Sequence, residues 1–207
     1  MQKTLFLLTV ILTGTLLFCF SCEEKGVDKI TASELIEKGW SKFAAGNFAG
    51  AGSDFSAALS IATIASDSSG AFLGLGWAQL RQNQAGLAEN SLVKYLSFNP
   101  GLPGLNYGRA GLAFAYSATN KFQEAVDTAN VVLSSDPSWS FGHDPSVNHL
   151  DLYLILAQSY YELADFSRSL EIVKQYFDPP NFDPDVSTYG GKIELADMIQ
   201  FLREEVT

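Results

Sequence analysis

Residues 111–137 read GLAFAYSATNKFQEAVDTANVVLSSDP, and this stretch decides the fold. Two small residues, Ala113 and Ala125, lie twelve positions apart with Phe122 between them, and Pro137 closes the segment. Small side chains at two such points let two helices cross closely, and proline ends the second helix because it has no amide hydrogen to donate. The stretch therefore predicts two antiparallel helices joined by a short turn before Phe122.

The same spacing occurs in four segments of the chain. The first small position recurs at intervals of 37, 37 and 44 residues, and a second small residue follows it by twelve positions each time. A single helical hairpin of this kind would mean little, whereas four in register indicate stacked repeats. The four pairs are Gly39 and Ala51, Gly76 and Ala88, Ala113 and Ala125, and Ala157 and Ser169.

The pattern resembles the tetratricopeptide repeat (TPR), a unit of about 34 residues that folds as helix–turn–helix. The resemblance implies an all-α fold, a right-handed TPR solenoid of about four units over residues 32–180; unrelated helical hairpins are the alternative. Residues 181–207 are then predicted to form a loop and a C-terminal capping helix, because a solenoid must cover its last apolar face. Apolar residues at one-sided helical spacing support the cap: Leu195, Met198, Ile199, Leu202 and Val206.

The first residues resemble a bacterial lipoprotein signal. Lys3 is followed by seventeen uncharged residues, and the segment then ends in Ser21 and Cys22. The resemblance implies that residues 1–21 are removed as a signal peptide, that Cys22 is the lipidation site and that residues 22–31 form an acidic tether. An uncleaved membrane anchor is the alternative, although seventeen residues fall short of the ~20 that span a bilayer as a helix.

Either arrangement tethers the rest of the chain to a membrane of the bacterial cell envelope, outside the cytoplasm. The lipoprotein resemblance favours the outer membrane over the inner, and both a periplasmic and a surface-exposed orientation remain open. Glu23 and Glu24 are similar to the surface-export signal of Bacteroidetes lipoproteins, and a solvated linker explains them equally well. The membrane, reached through the N-terminal lipid, is therefore the first predicted partner.

In TPR proteins the first helix of each unit lines a concave groove in which peptide ligands lie. Aligning the four repeats with the family pattern transfers the groove positions of that family to this chain. The residues at these positions are mostly apolar and aromatic: Ile36, Trp40, Phe43, Leu73, Trp77, Leu80, Tyr107, Phe114, Leu154, Gln158 and Tyr161. The positions of the family's peptide-carboxylate clamp hold residues such as Trp40 and Gly74, so that ligand is not expected. Two possibilities remain open for what occupies the groove. One is an apolar segment of a partner protein, and the other is a segment of the protein itself, either its C-terminal helix or residues 26–31.

Charge and motif content argue against several functions. The chain carries 13 Lys and Arg against 23 Asp and Glu, a net charge of −10, whereas nucleic-acid binding needs a basic surface. No nucleophile, phosphate-loop or metalloprotease motif appears, so neither an enzyme nor a cofactor is predicted. Four side chains of an insertion could gather around a metal: His143, Asp144, His149 and Asp151. Their spacing matches no ligand pattern, and residues 136–149 are predicted to be a solvated loop without metal.

The sequence as a whole predicts a membrane-anchored TPR scaffold or adaptor that binds a segment of a partner protein in an apolar, aromatic-lined groove, in envelope or outer-membrane complex assembly. A surface lipoprotein that binds a glycan or small ligand through the groove aromatics is the alternative. Sugar sites need polar side chains beside the aromatic rings, and the predicted groove has almost none. That shortage favours the protein partner.

Overall fold

The computed structural model describes residues 29–206, so residues 1–28, with Cys22 and most of the predicted tether, lie outside the described part of the chain. Every helix and strand of the described residues belongs to the unit that begins at Thr31. In chain order the elements are α1 (Ala32–Ala44), α2 (Phe48–Ile61), α3 (Ala65–Arg81), α4 (Ala85–Ser97), α5 (Gly104–Ala118), α6 (Phe122–Ser135), β1 (Ser140–Phe141), β2 (Asp144–Asn148), α7 (His149–Glu162), α8 (Phe166–Tyr176) and α9 (Tyr189–Val206). None of these helices is long and apolar enough to cross a membrane.

The first eight helices stack as four helix–turn–helix units. In the first three units the second helix packs on the first helix of its own unit and on the first helix of the next. The first helices (α1, α3, α5 and α7, called the inner helices below) also contact one another in sequence. This arrangement confirms the predicted all-α TPR solenoid. Helix α9 packs mainly on α7 and caps the fourth unit by burying Leu195, Ile199 and Leu202 in one cluster with Leu154 and Val173.

Glycines on neighbouring inner helices receive a large side chain from the second helix that lies between them. Phe55 of α2 is fully buried, and a Cβ placed on Gly39 of α1 would lie 2.6 Å from its ring. A Cβ on Gly74 of α3 would overlap the same ring from the other side. Leu92 of α4 repeats the arrangement one unit later. The small residues of the repeat therefore set how closely the inner helices approach.

Each turn inside a unit contains one residue in the left-handed region. These residues are Gly46 (φ 75°), Asn83 (59°), Asn120 (60°) and Ala164 (61°), and they recur at the spacing of the units. Glycine and asparagine adopt this conformation more readily than other residues, which explains their presence in three of the four turns. The same turn geometry thus reverses the chain in every unit.

Among the described residues, strands occur only between α6 and α7. β1 and β2 pair antiparallel there, with Ser140 opposite Asn148. Trp139 and Phe141 are almost completely buried, so the expectation of a solvated loop over residues 136–149 is wrong. The physical reason is that residues two apart in an extended chain share one face, which lets this hairpin bury its apolar side chains together.

Replacing Gly39 tests the close approach of α1 and α2. Gly39→Ala should lower the free energy of unfolding by about 1–3 kcal/mol, because the added methyl group overlaps the Phe55 ring. Gly86→Ala is the matched control, since a Cβ there meets nothing within 4 Å. Urea denaturation measures both variants. Combining Gly39→Ala with Phe55→Leu should recover part of the loss, and strictly additive effects would contradict the contact.

Candidate binding surface on the inner helices

The hairpin lays two rings on the inner helices. The Phe141 ring stacks on Trp77 of α3, with centroids 4.0 Å and planes 17° apart. The His143 imidazole stacks on Trp40 of α1, with centroids 3.6 Å and planes 2° apart. Tyr107 of α5 meets Phe141 edge-on at 5.3 Å and His143 at 6.5 Å. One hairpin thus joins three consecutive inner helices through aromatic contacts, and the edge-on contacts of Tyr107 have the geometry that ring quadrupoles favour.

Further contacts hold the hairpin in this position. Gly142 lies at its tip, where a Cβ would lie 2.6 Å from the Tyr107 hydroxyl oxygen, so a larger residue would displace that ring. The indole N–H of Trp77 donates a hydrogen bond to the Tyr107 carbonyl oxygen (3.3 Å), which links α3 to α5 beneath the hairpin. Arg81 of α3 and Asp144 of β2 form an ion pair with an N···O distance of 3.8 Å. The hairpin is therefore part of the packed structure.

Burial shifts the protonation of two groups at the hairpin. Packing on Trp40 removes water from one face of the imidazole and lowers the pKa of His143 below its ordinary value of 6.5, so the neutral form is the one that stacks. Burial raises the pKa of the Asp151 carboxyl, and the hydrogen bond that Asp151 accepts from the backbone N–H of Asn148 (2.8 Å) opposes that shift. Asn148 and Asp151 together form the capping box that starts α7.

Six of the predicted groove residues lie beneath the hairpin or pack in or against the core. They are Trp40, Trp77 and Tyr107 beneath the hairpin, and Ile36, Phe43 and Leu73 at the core. Trp77 is only 2% exposed, so its ring face is not open to a ligand in this conformation. The occupant of this half of the inner face is the hairpin between α6 and α7, whereas the C-terminal helix packs on the fourth unit.

The other five predicted groove residues line the part of the inner face that the hairpin leaves open: Leu80, Phe114, Leu154, Gln158 and Tyr161. One cavity of about 630 Å³ is bounded by α3, α5, α7 and β2, and a second of about 780 Å³ lies between α7 and α9. Gln158 and Arg203 line both cavities, so the two adjoin. We call them together the open groove.

Polar and charged side chains share the open groove with the apolar ones. Ser117 lies three positions after Phe114 on the predicted groove face, whereas the sequence-based prediction missed four others that line the first cavity: Arg81, Asn83, Asp151 and Arg203. Arg81 follows Trp77 by four positions, so helical spacing alone could have found it. Arg203 lies on the capping helix, and no local signal shows which unit that helix faces. The expectation of a groove almost without polar side chains is wrong for this half.

The two histidines of the insertion have different surroundings. His143 stacks on Trp40, whereas His149 is the first residue of α7 and meets Tyr153 edge-on at 6.4 Å. Asp144 pairs with Arg81, as described above. Within residues 29–206 no group of three His, Cys, Asp or Glu side chains is arranged to hold a metal ion.

Comparisons with known proteins bear on the fold. No protein-family model and no curated protein matches the sequence. A kinesin light chain-like protein of Podosopora anserina with nearly identical TPR-like repeats is similar in structure, with a TM-score of 0.56 and 15% identity over 85% of this chain and 96% of that one. A variant of the same protein gives a TM-score of 0.55 and 18% identity over 84% and 88%. The chain therefore has the fold of a TPR-like repeat protein.

Removing the Phe141 ring tests whether the hairpin stabilises the solenoid. Phe141→Ala should lower the free energy of unfolding by about 3–5 kcal/mol, the usual cost of truncating a buried aromatic residue. Tyr189→Ala is the control, because Tyr189 is 81% exposed. Urea denaturation followed by tryptophan fluorescence measures both. A loss no larger than that of the control would show that the hairpin contributes little to stability.

Proposed function

We propose that this protein is a non-catalytic TPR scaffold or adaptor that binds a segment of a partner protein in the open groove. The observation that carries the proposal is that the inner face has one part covered by the hairpin and another part left open. The hairpin fills the surface of the first inner helices, and the surface of α5 and α7 beside it stays uncovered. A concave surface with apolar anchors and a few polar groups is a common setting for ligand recognition.

The dimensions and chemistry of the open groove favour a peptide segment. Its two adjoining cavities extend from α3 across α5 and α7 to α9, a longer path than a single ring-sized ligand fills. Leu80 and Phe114 offer apolar contacts in the first cavity, and Tyr161 extends them into the second. Amphipathic or extended segments bind such grooves through side chains spaced along one face. Arg81 and Arg203 line the open groove together with Asp151, Glu162 and Glu204, so its charged groups are of both signs.

We further propose that Cys22 carries the lipid that holds the protein on a membrane of the bacterial cell envelope, with the outer membrane favoured. Support comes from the signal-like sequence before Cys22 and from the acidic segment after it. Two or more acyl chains on one residue give stable anchoring. The adaptor would then recruit its partner to that membrane and contribute to the assembly of an envelope complex.

Site-specific photocrosslinking tests the groove. A photoreactive residue at Gln158 should crosslink one partner protein in native membranes, because this position lines both cavities. The matched control places the same residue at Val131 of α6, which is exposed outside the groove. Ser117→Trp, which fills the groove without removing a buried contact, should reduce the Gln158 crosslink about tenfold, as expected for loss of one anchoring contact.

Crosslinks at both positions, or a Gln158 crosslink that survives Ser117→Trp, would contradict the groove proposal. The polar side chains around Phe114 also support the second candidate, binding of a glycan or small ligand. In that case no protein crosslinks at Gln158, and oligosaccharides raise the melting temperature of the parent chain while leaving Ser117→Trp unchanged.

Replacing Cys22 tests the anchor. Cys22→Ser should move the protein from the membrane fraction to the soluble fraction, because the acyl chains would be the principal membrane attachment. Fractionation and metabolic labelling with a radioactive fatty acid measure the change. Persistent sedimentation with membranes would instead favour an uncleaved N-terminal helix.

A further inference from the structure

Four large apolar side chains are exposed at one edge of the first two units. Ile61 ends α2 and Ile64 precedes α3, while Phe98 follows α4 and Leu102 precedes α5. Ile64 is 56% exposed and Leu102 is 66% exposed. We call the loops that carry them, residues 61–64 and 98–103, the inter-unit edge.

The inter-unit edge is also the edge at which the chain begins the solenoid. In a stack of helix–turn–helix units every inner helix starts, and every second helix ends, on the same side. The hydroxyl of Ser33 at the start of α1 donates a hydrogen bond to Asp67 at the start of α3 (3.2 Å), so these two helix starts lie side by side. The Phe72 and Phe98 rings lie 6.1 Å apart, which connects α3 to the second loop. The first helix of the solenoid therefore begins beside the apolar loops.

The two loops themselves are free of charge, although Asp67 and Glu34 lie in the first turns of α3 and α1 on the same edge. Residues 55–66 and 95–108, which include both loops, contain no Asp, Glu, Lys or Arg. The connections farther along the chain on the same side are acidic, with Asp136 after α6 and Asp178, Asp183 and Asp185 after α8. Clustered exposed apolar side chains often mark an interaction site, and these four lie in the two connections nearest the N-terminal segment.

We propose that the surface of the lipid bilayer covers the inter-unit edge, with Ile64, Phe98 and Leu102 inserted at the boundary between headgroups and acyl chains. The inference rests on the proposed lipid at Cys22. Residues 22–31 can extend at most ~35 Å, so a lipid at Cys22 keeps the edge within reach of the bilayer. Tethering raises the effective concentration of the edge at the membrane, so a few apolar side chains suffice for insertion.

Insertion would give the solenoid a fixed orientation. The turns inside the units, which contain Gly46, Asn83, Asn120 and Ala164, lie on the opposite edge and would face away from the bilayer. The inner helices would then stand roughly upright on the membrane, with the open groove facing sideways. A partner embedded in or attached to the same membrane could reach the groove in this orientation.

The test uses the full acylated chain in vesicles of phosphatidylethanolamine and phosphatidylglycerol that contain doxyl-labelled lipid. An NBD fluorophore on Thr63→Cys reports on the inter-unit edge, and the same label on Ser167→Cys reports on the opposite edge. Both positions are polar and exposed, and the parent chain without an introduced cysteine gives the background. Inserted side chains lie ~5–10 Å below the surface, so doxyl lipid should quench the label at 63 about threefold more than the label at 167.

Paired substitutions show whether the apolar side chains cause the quenching. Ile64→Ser with Leu102→Ser should reduce quenching at position 63 to the level at position 167. The matched control, Leu87→Ser with Leu163→Ser, removes two exposed leucines near the opposite edge and should leave quenching at position 63 unchanged.

Each other outcome overturns the inference in a recognisable way. Equal quenching at positions 63 and 167, or quenching that survives Ile64→Ser with Leu102→Ser, shows that the edge does not insert, although sedimentation then still supports the anchor. A label at position 63 that is blue-shifted in native membranes but is not quenched in the doxyl vesicles shows that a protein covers the edge instead. An acylated chain that does not sediment with vesicles overturns both the anchor and the insertion, whereas the Gln158 crosslink reports on the groove independently.

Discussion

The insertion of one large side chain between two glycines is the contact on which the solenoid depends. Phe55 lies between Gly39 and Gly74, and one unit later Leu92 lies between Gly76 and Gly111. In the third unit the pattern of sizes reverses, because the equivalent residue of α6 is Ala129 and the residue that corresponds to Gly111 is Ile155. In this unit the large side chain comes from the inner helix and the small one from the second helix, so the two helices still pack closely. Cores tolerate such exchanges when the total side-chain volume is conserved. The separation of the inner helices, and with it the shape of the inner face, follows from these contacts.

The inner face is divided because the hairpin between α6 and α7 packs on one half of it and makes that half part of the hydrophobic core. Phe141 and His143 take positions on Trp77 and Trp40 that a ligand could otherwise use. The predicted groove aromatics therefore serve internal packing on α1 and α3 and at Tyr107 of α5, while Phe114 and Tyr161 line the open groove. Because the two groups of residues have different roles, a TPR solenoid with only four units can have a well-packed first half and still keep a groove.

The sequence predicts the repeat well and the occupant of its groove poorly, for a physical reason. Small residues twelve positions apart, short turns between helices and a one-sided terminal helix are local features, so the spacing of residues reveals them. The stacking of Phe141 on Trp77 is a contact between residues 64 positions apart, and no local pattern specifies it. For the same reason Arg203 was missed: its place beside Gln158 depends on how α9 docks on α7. The lining of the open groove was therefore predicted only in part. Alignment of the repeats identified its apolar residues but not the charged groups supplied by other elements.

The distribution of charge connects the hairpin, the inter-unit edge and the open groove. Residues 43–120 carry only six charged side chains, although the whole chain has a net charge of −10. Burying a charge is costly unless it is paired, so the units to which residues 43–120 contribute can be covered on more than one side along this stretch. The hairpin covers these units on the inner face, and the proposed bilayer contact would cover them at the inter-unit edge. The later units and the capping helix carry most of the acidic residues and must stay hydrated, which leaves their part of the inner face as the place where a soluble or peripheral segment can bind.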